Sequence, residues 1–267
     1  MTFSIRSQGE LARLHRMEQL AARRERTSRQ LASGKRITGA ADDAAGLAVA
    51  TRFAAAERGM AQGANNLAAG QDLVRTAEAT LQTSQDDLAR MRELSMQARN
   101  GTLSDADRAV VQQEYDALAA GLDQTASGTS FAGRNLLDGS SGGNAAVVVG
   151  DGSGGDHALD LPDARAAALG VAGRDVAAAA TVDAVDAASA QLARARGRLG
   201  TADRSLESHA RQLGAAGASL ADARSRIEDV DVAVATAAQT RDRILQGLQL
   251  AGARAERARR PLLDVIG

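Results

Sequence analysis

The three histidines are the first residues of this chain to consider as metal ligands or catalytic bases. His15, His157 and His209 belong to three separate segments, and none has a cysteine or a second histidine at ligand spacing. Protein zinc sites usually take two of their ligands from one short segment. The pattern therefore predicts no metal site, and we interpret His209 as a polar residue that sets the register of a helical seam.

Three other sequence patterns that can indicate a catalytic or phosphate-binding site are incomplete in this chain. Asp42–Asp43 and Asp86–Asp87 are sequence neighbours, and adjacent side chains on a helix point in different directions, so we interpret them as helix caps or solvated charges. The glycine run 150–155 lacks the Gly-Lys-Ser/Thr ending of a phosphate-binding loop. No serine combines nucleophile-elbow surroundings with a suitably placed acid and histidine. We therefore predict no enzyme and no cofactor.

The composition favours long helices over a thick globular core. Aromatic residues make up 1% of the 267 residues, only two prolines occur, and cysteine is absent. Aromatic side chains usually carry much of a core's buried area, whereas the scarcity of proline lets helices run uninterrupted. No apolar run is long enough for a signal-peptide core or a membrane span. Neither Sec export nor membrane insertion is therefore predicted.

The N-terminal segment is basic, with nine basic and three acidic residues between Met1 and Arg36. Such a charge balance can indicate a nucleic-acid partner. No aromatic residue is interleaved for base stacking, so we interpret the charge as a solvated helix face and predict no nucleic-acid binding.

Two ladders of apolar residues with a period of seven lie at opposite ends of the chain. The upstream ladder starts at Met60, and the downstream ladder runs without a slip from Val185 to Val234. This period is typical of helices that pack side by side in coiled coils. Small residues follow many rungs three positions later, which permits close approach of the backbones. The predicted coil seam comprises Leu67, Val74, Leu81, Leu88, Leu192, Leu199, Leu206, Leu213, Leu220 and Ile227.

The middle of the chain predicts a third helix and short strands. Ser104 followed by Asp107 is typical of a helix N-terminus, and that helix is expected to end near Thr125. Glycine is dense from 128 to 155, and the apolar runs 135–137 and 145–149 predict hairpin strands. The sequence thus predicts a mainly α fold: a long antiparallel helical coiled-coil rod of paired N- and C-terminal segments, with a small β-hairpin region at its tip.

Apolar residues near both ends lack a predicted partner within the chain. On a lone molecule such stripes would be exposed and would lower solubility, so assembly with other copies is the simplest explanation. The predicted terminal assembly contacts are Leu11, Leu14, Ile244, Leu248, Leu262 and Leu263.

Four segments resemble bacterial flagellins. Residues 31–53 (LASGKRITGAADDAAGLAVATRF) resemble the family's N-terminal signature, and residues 223–231 (ARSRIEDVD) its C-terminal signature. Residues 88–108 (LARMRELSMQARNGTLSDADR) are similar to its central helix and turn, and 131–139 (FAGRNLLDG) to its hairpin entry. The resemblance covers nearly the whole chain in the family's order, and the short middle implies a minimal flagellin without large variable outer domains.

The resemblance implies a division of the chain into two parts. Residues 1–40 and 230–267 correspond to the inner-tube terminal helices. Residues 41–229 correspond to an outer rod domain with a β-hairpin region at about 129–175. The terminal segments are expected to gain much of their order on assembly.

The resemblance also implies function, location and partners. It implies a structural subunit that forms a homopolymer, the extracellular bacterial flagellar filament used for motility. Export is expected through the flagellar type III system without a cleaved signal peptide. An export chaperone and the filament cap and junction proteins are the implied partners.

A Toll-like receptor is a further partner implied by the resemblance. Arg90, Leu94 and Glu114 match the surface through which flagellins assemble and are detected, while Ala89 replaces the family's usual Gln. The alternative interpretation is that Arg90 and Glu114 form an ordinary surface salt bridge.

Two other functions remain open from the residues. A hook-filament junction protein shares the terminal helices, and a non-polymerising coiled-coil adaptor would need only the seven-residue ladders. The Asp-Asp-Ala-Ala-Gly run at 42–46 and the Arg-Ile-Leu-Gln run at 243–246 favour a filament subunit.

Overall fold

The computed structural model describes residues 2–140, 147–150 and 155–263. Within these residues the chain is mainly α-helical, as predicted, with two antiparallel strand pairs. The helices are α1 (Thr2–Ser33), α2 (Ala44–Ala98), α3 (Asp105–Gly128), α4 (Ala179–Glu228) and α5 (Val232–Leu263). The strands are β1 (Ser130–Phe131), β2 (Arg134–Asn135), β3 (Val147–Gly150) and β4 (Asp156–Leu159).

The chain divides into two compact units. The terminal unit comprises Met1–Glu57 and Ser219–Gly267, and the central unit comprises Arg58–Ala218. Helices α2 and α4 each contribute to both units.

In the central unit α2 and α4 run antiparallel. Arg92 Nε lies 2.6 Å from Asp186 Oδ1, near the C-terminal end of α2 and the N-terminal end of α4. Further along, Arg196 Nη1 donates a hydrogen bond of 2.7 Å to Gln85 Oε1. Positions therefore rise on α4 as they fall on α2, which is the pairing that the two ladders predict.

Helix α3 packs its apolar side on the same core. Its N-terminus carries a capping box, in which Ser104 Oγ accepts a hydrogen bond from the Asp107 N–H and Asp107 accepts one from the Ser104 N–H. Tyr115 is fully buried, and its hydroxyl donates a hydrogen bond of 3.0 Å to the Val171 carbonyl oxygen. The predicted start of this helix is confirmed, because a cap depends on residues close in sequence.

The first hairpin differs from the prediction of a strand at 135–137. Pairing joins Ser130 to Asn135, and the strand ends there. Leu136 and Leu137 leave the ladder and are buried in the core. Gly133 at φ +79° closes the turn so early that the two leucines are free to fill the core.

The second hairpin lies directly against α2. Strand β3 pairs with β4 in the register Val147 to Leu159, while residues 145 and 146 of the predicted run lie outside the described residues. At Gly70 an added Cβ would lie 2.9 Å from Val149 Cγ2 and 3.4 Å from Leu206 Cδ1. A glycine is therefore needed where the hairpin and α4 both approach α2.

We expect Gly70→Ala to destabilise the central unit by about 1–3 kcal/mol, because overpacking a tight core forces neighbours to move. Gly121→Ala on α3 is the matched control, since an added Cβ there meets nothing within 4 Å. Relief of backbone entropy should stabilise that variant by roughly 0.5–1 kcal/mol. Urea unfolding followed by circular dichroism measures both, and shifts of equal sign would contradict the tight packing at Gly70.

In the terminal unit a break separates α4 from α5. The Val230 N–H donates a hydrogen bond of 3.0 Å to the Gly34 carbonyl oxygen, and Lys35 forms an isolated antiparallel bridge with Asp229. The Asp231 side chain then accepts a hydrogen bond of 3.0 Å from the Val234 N–H in the first turn of α5. The apolar ladder that reaches Val234 in the sequence is therefore divided between two helices, because backbone pairing with a distant segment interrupts the helix after Glu228.

Candidate assembly surfaces

The terminal unit exposes apolar side chains along both of its terminal helices. Leu11 and Leu14 on α1 are 55% and 57% exposed, and Ile244 and Leu248 on α5 are 59% and 64% exposed. Leu262 and Leu263 belong to α5, but their side chains lie outside the described residues. Four of the six predicted assembly contacts thus lie on surface that the described residues leave exposed.

The exposed side of α5 carries an open groove. It is lined mainly by small and apolar side chains, with one arginine at its edge. The lining residues are Ala233, Thr236, Ala237, Thr240, Arg241, Ile244 and Leu245. Such a groove can receive the apolar side of another helix.

Contact between α1 and α5 buries little apolar surface. Leu20 on α1 and Ala235 on α5 are buried, and Asp242 is 4% exposed. Arg24 donates a hydrogen bond to the Gln246 side-chain oxygen. Because helices of globular proteins owe most of their stability to packing, this polar contact holds the pair only weakly.

The segment around Asp42 ties α1 to the start of α2. Asp43 Oδ1 accepts a hydrogen bond of 2.8 Å from the Gly46 N–H, so its predicted capping role is confirmed. Asp42 accepts hydrogen bonds from the Thr38 N–H at 3.0 Å and the Thr38 hydroxyl at 2.6 Å, and Arg26 Nε lies 3.0 Å from its carboxylate. These hydrogen bonds, followed by the charge of Arg26, lower the pKa of Asp42.

Only part of this contact between α1 and the start of α2 could be predicted from the sequence. An aspartate before a helix predicts a cap, whereas the contact between Asp42 and Arg26 depends on how the chain turns back at Gly34, whose φ is +69°. Gly46 has a steric role as well, since an added Cβ there would lie 2.8 Å from Ile37 Cδ1.

The predicted receptor surface lies on α2 and α3. Arg90 Nε and Nη2 donate hydrogen bonds of 2.9 and 2.7 Å to Glu114 Oε1, and Nη1 donates one of 3.1 Å to Glu93. The bonds to Glu114, and then to Glu93, raise the pKa of Arg90. Arg90 and Glu114 remain about half exposed, whereas Leu94 is buried in the core. Of these three residues, only Arg90 and Glu114 thus have side chains at the surface.

The predicted seam residues differ in burial along the chain. In the central unit Leu67, Val74, Leu81, Leu88, Leu192, Leu199 and Leu206 are at most 1% exposed, and Leu213 is also buried. Leu220 and Ile227, in the terminal unit, are half-buried. Burial thus decreases toward the C-terminal end of α4.

Two of the histidines, which belong to separate segments of the sequence, meet in the folded chain. The rings of His157 on β4 and His209 on α4 lie 4.4 Å apart between centroids. Folding of the second hairpin onto α4 brings them together, which sequence spacing does not reveal. His15 is exposed on α1 beside Glu18. Among the described residues no group of three His, Cys, Asp or Glu side chains could hold a metal, and no helix is long and apolar enough to span a bilayer.

Comparison with known proteins finds regions of one protein family at both ends of the chain. Residues 8–142 match the model of the bacterial flagellin N-terminal helical region, and residues 182–263 match that of the bacterial flagellin C-terminal helical region. A flagellin from Halalkalibacterium halodurans is 34% identical over 227 residues, covering 83% of each protein. A flagellar filament core protein from Brachyspira hyodysenteriae is 33% identical, covering 83% of this chain and 84% of its own.

Longer relatives match over a smaller share of their length. Flagellin E of Vibrio cholerae is 40% identical over 154 residues, which are 58% of this chain and 40% of that protein. A crystal structure of Bacillus cereus flagellin superposes with a TM-score of 0.48 at 26% identity, covering 56% of this chain and 88% of that one. Two family regions that together span most of the sequence, in the expected order, establish that this chain belongs to the bacterial flagellin family.

Proposed function

We propose that this chain is a structural subunit that polymerises into a bacterial flagellar filament. The observation that carries the proposal is the uncovered apolar surface of α1 and α5, with Leu14 and Leu248 more than half exposed. Burial of such side chains is favourable by about 1.5–3 kcal/mol each, so a neighbouring subunit offers a strong driving force. The names of the Halalkalibacterium and Brachyspira relatives agree with this function.

Residues 1–40 and 230–267 would form the inner tube in this assembly, and residues 41–229 the outer part. Different surfaces of identical subunits would meet, and such heterologous contacts continue into a helical polymer when they do not close into a ring. We further propose an extracellular location, export through the flagellar type III system, and a chaperone, filament cap and junction proteins as partners. These follow from family membership and agree with the exposed apolar side chains of α1 and α5, such as Leu11 and Ile244.

Electron microscopy of the purified full chain, incubated at increasing concentration, tests the proposal. Filaments of uniform diameter are expected above a threshold concentration. A monodisperse monomer at all concentrations would instead favour a coiled-coil adaptor. Filaments that grow only from the ends of an existing hook would favour a junction protein.

Assembly should also order the terminal helices. We expect backbone amides of α1 and α5 to exchange rapidly with deuterium in the monomer and slowly in the filament, because little apolar surface stabilises these helices in the single chain. Amides around Leu88, whose side chain is fully buried, serve as the control and should be protected in both states. Strong protection of α1 and α5 in the monomer would contradict coupled ordering.

We propose that Arg90 and Glu114 contribute to recognition by the flagellin-detecting Toll-like receptor. Arg90→Ala should lower the potency of the monomer in a receptor reporter assay about tenfold or more, since hydrogen bonds to charged groups contribute roughly 1.5–3 kcal/mol. Arg75→Ala is the matched control, an arginine of the same helix that is 63% exposed. Equal potency of the two variants would assign Arg90 to a surface salt bridge alone.

A further inference from the structure

The turn between α2 and α3 carries a chemically reactive pair of residues, Asn100 and Gly101. The side-chain amide of an asparagine can be attacked by the backbone nitrogen of the next residue, and glycine hinders this attack least because it has no Cβ. Both residues are exposed, just beyond the C-terminal end of α2. No other asparagine of the sequence precedes a glycine; the others are Asn65, Asn66, Asn135 and Asn144.

The turn leaves the attacking nitrogen free. The Asn100 N–H donates a hydrogen bond of 3.0 Å to the Gln97 carbonyl oxygen, and the Leu103 N–H donates one of 3.2 Å to the Asn100 carbonyl oxygen. Between these two bonds, the Gly101 N–H donates no hydrogen bond to any group of the described residues. No hydrogen bond within this part of the chain therefore has to break before the Gly101 nitrogen reacts.

The same turn activates the group that is attacked. Asn100 Oδ1 accepts a hydrogen bond of 3.2 Å from the Thr102 N–H, which holds the side chain against the backbone of the following residues. This oxygen gains negative charge when a nucleophile adds to Asn100 Cγ. A donor that is already aimed at the oxygen stabilises that charge, so the folded turn favours the addition.

We propose that Asn100 and Gly101 form a site of spontaneous deamidation through a cyclic imide. The Gly101 nitrogen forms a bond to Asn100 Cγ and gives its proton to solvent, while the bond from Cγ to Nδ2 breaks and Nδ2 takes up a proton and leaves as ammonia. Water then opens the ring. Its addition at Cγ gives aspartate, and its addition at the main-chain carbonyl carbon gives isoaspartate. Solvent water is the co-reactant that these steps require.

The product carries a carboxylate where α2 ends. The helix dipole disfavours negative charge at a C-terminal end. Arg108 supplies a compensating positive charge there, since its Nε donates a hydrogen bond of 3.2 Å to the Ala98 carbonyl oxygen. The modified chain is therefore expected to stay folded while it gains one negative charge at an exposed turn.

The pair Asp138–Gly139 provides an internal comparison, because an aspartate before a glycine can form the same imide when its carboxyl group is protonated. Hydrogen bonds from the Ser140 hydroxyl and then from the Asn135 side chain lower the pKa of Asp138 to about 2. The carboxylate is thus ionised near neutral pH and is a poor electrophile. We expect no imide at Asp138.

Incubation of the purified full chain, kept monomeric in mildly alkaline buffer, tests the proposal. Digestion by pepsin in acid followed by mass spectrometry gives the fraction of Asn100 that has gained one mass unit. Gly101→Ala is the matched variant, because an added Cβ there meets nothing within 4 Å and the φ of Gly101 is not left-handed. That variant should keep its fold and deamidate about tenfold more slowly or less, since its Cβ hinders the attack.

Chromatography of the same peptides distinguishes the cyclic imide from direct hydrolysis. Isoaspartate and aspartate are both expected at position 100, whereas direct hydrolysis gives aspartate alone. The peptide that contains Asp138 should be unchanged, and circular dichroism confirms that the natural and variant chains are folded. Three results would overturn the proposal: equal rates in the natural and Gly101→Ala chains, aspartate without isoaspartate, or an intact Asn100 in the folded chain while the urea-unfolded chain reacts.

Discussion

Filament formation is expected to fail when Ile244 and Leu248 are both replaced by aspartate. These side chains are 59% and 64% exposed on α5, so the single chain should fold as before. In a filament each would be buried, and losing the burial of two such side chains costs about 3–6 kcal/mol per subunit. That difference raises the threshold concentration for assembly roughly 10²- to 10⁴-fold, and the added charges increase it further. Sedimentation and electron microscopy measure the threshold.

The control for this experiment keeps the surface apolar. Ile244→Leu together with Leu248→Met preserves the hydrophobic area and should assemble at a threshold close to that of the natural chain. A chain truncated before Pro261 should also fail to assemble if the end of α5 belongs to the contact. Normal filaments from the double aspartate variant would show that α5 does not form the contact between subunits.

Unfolding of the central unit should become markedly easier in Leu192→Ala. Leu192 is fully buried in the seam between α2 and α4, and replacing a buried leucine by alanine costs about 2–5 kcal/mol because a cavity remains. Urea unfolding of the monomer, followed by the helical circular dichroism signal, gives the free energy of unfolding. Leu192→Ala should reduce filament assembly only to the extent that it unfolds the subunit.

Val110→Ala provides the comparison on an exposed site. Val110 lies on α3 and is 65% exposed, so its truncation should change the free energy of unfolding by less than about 0.5 kcal/mol. Equal losses in the two variants would mean that the seam is not the stabilising core of the central unit. A small loss in Leu192→Ala alone would indicate that α2 and α4 repack readily.

The helices and their caps could be read from the amino-acid sequence. The period of seven that contains Leu88 and Leu192 depends only on residues spaced along one helix, and both side chains are buried. Ser104 and Asp107 form their capping box within one turn, so their types and spacing suffice to predict it. Family membership was likewise carried by short contiguous segments, and the family models match the chain at both ends.

Contacts between distant segments were decided only by the tertiary structure. The ladder of apolar residues continues past Glu228, yet hydrogen bonding of Val230 to Gly34 ends the helix there. The meeting of His157 with His209 depends on the second hairpin folding onto α4.

The sequence by itself determined the mainly α-helical character, the paired seam, the capped helix ends and the family, since each rests on periodicity or on neighbouring residues. The tertiary structure decided where α4 stops, which side of α5 remains uncovered, and that Leu94 is buried while Arg90 is exposed. Those outcomes depend on which distant backbone groups or side chains pack against each surface. A local sequence pattern does not specify such long-range contacts.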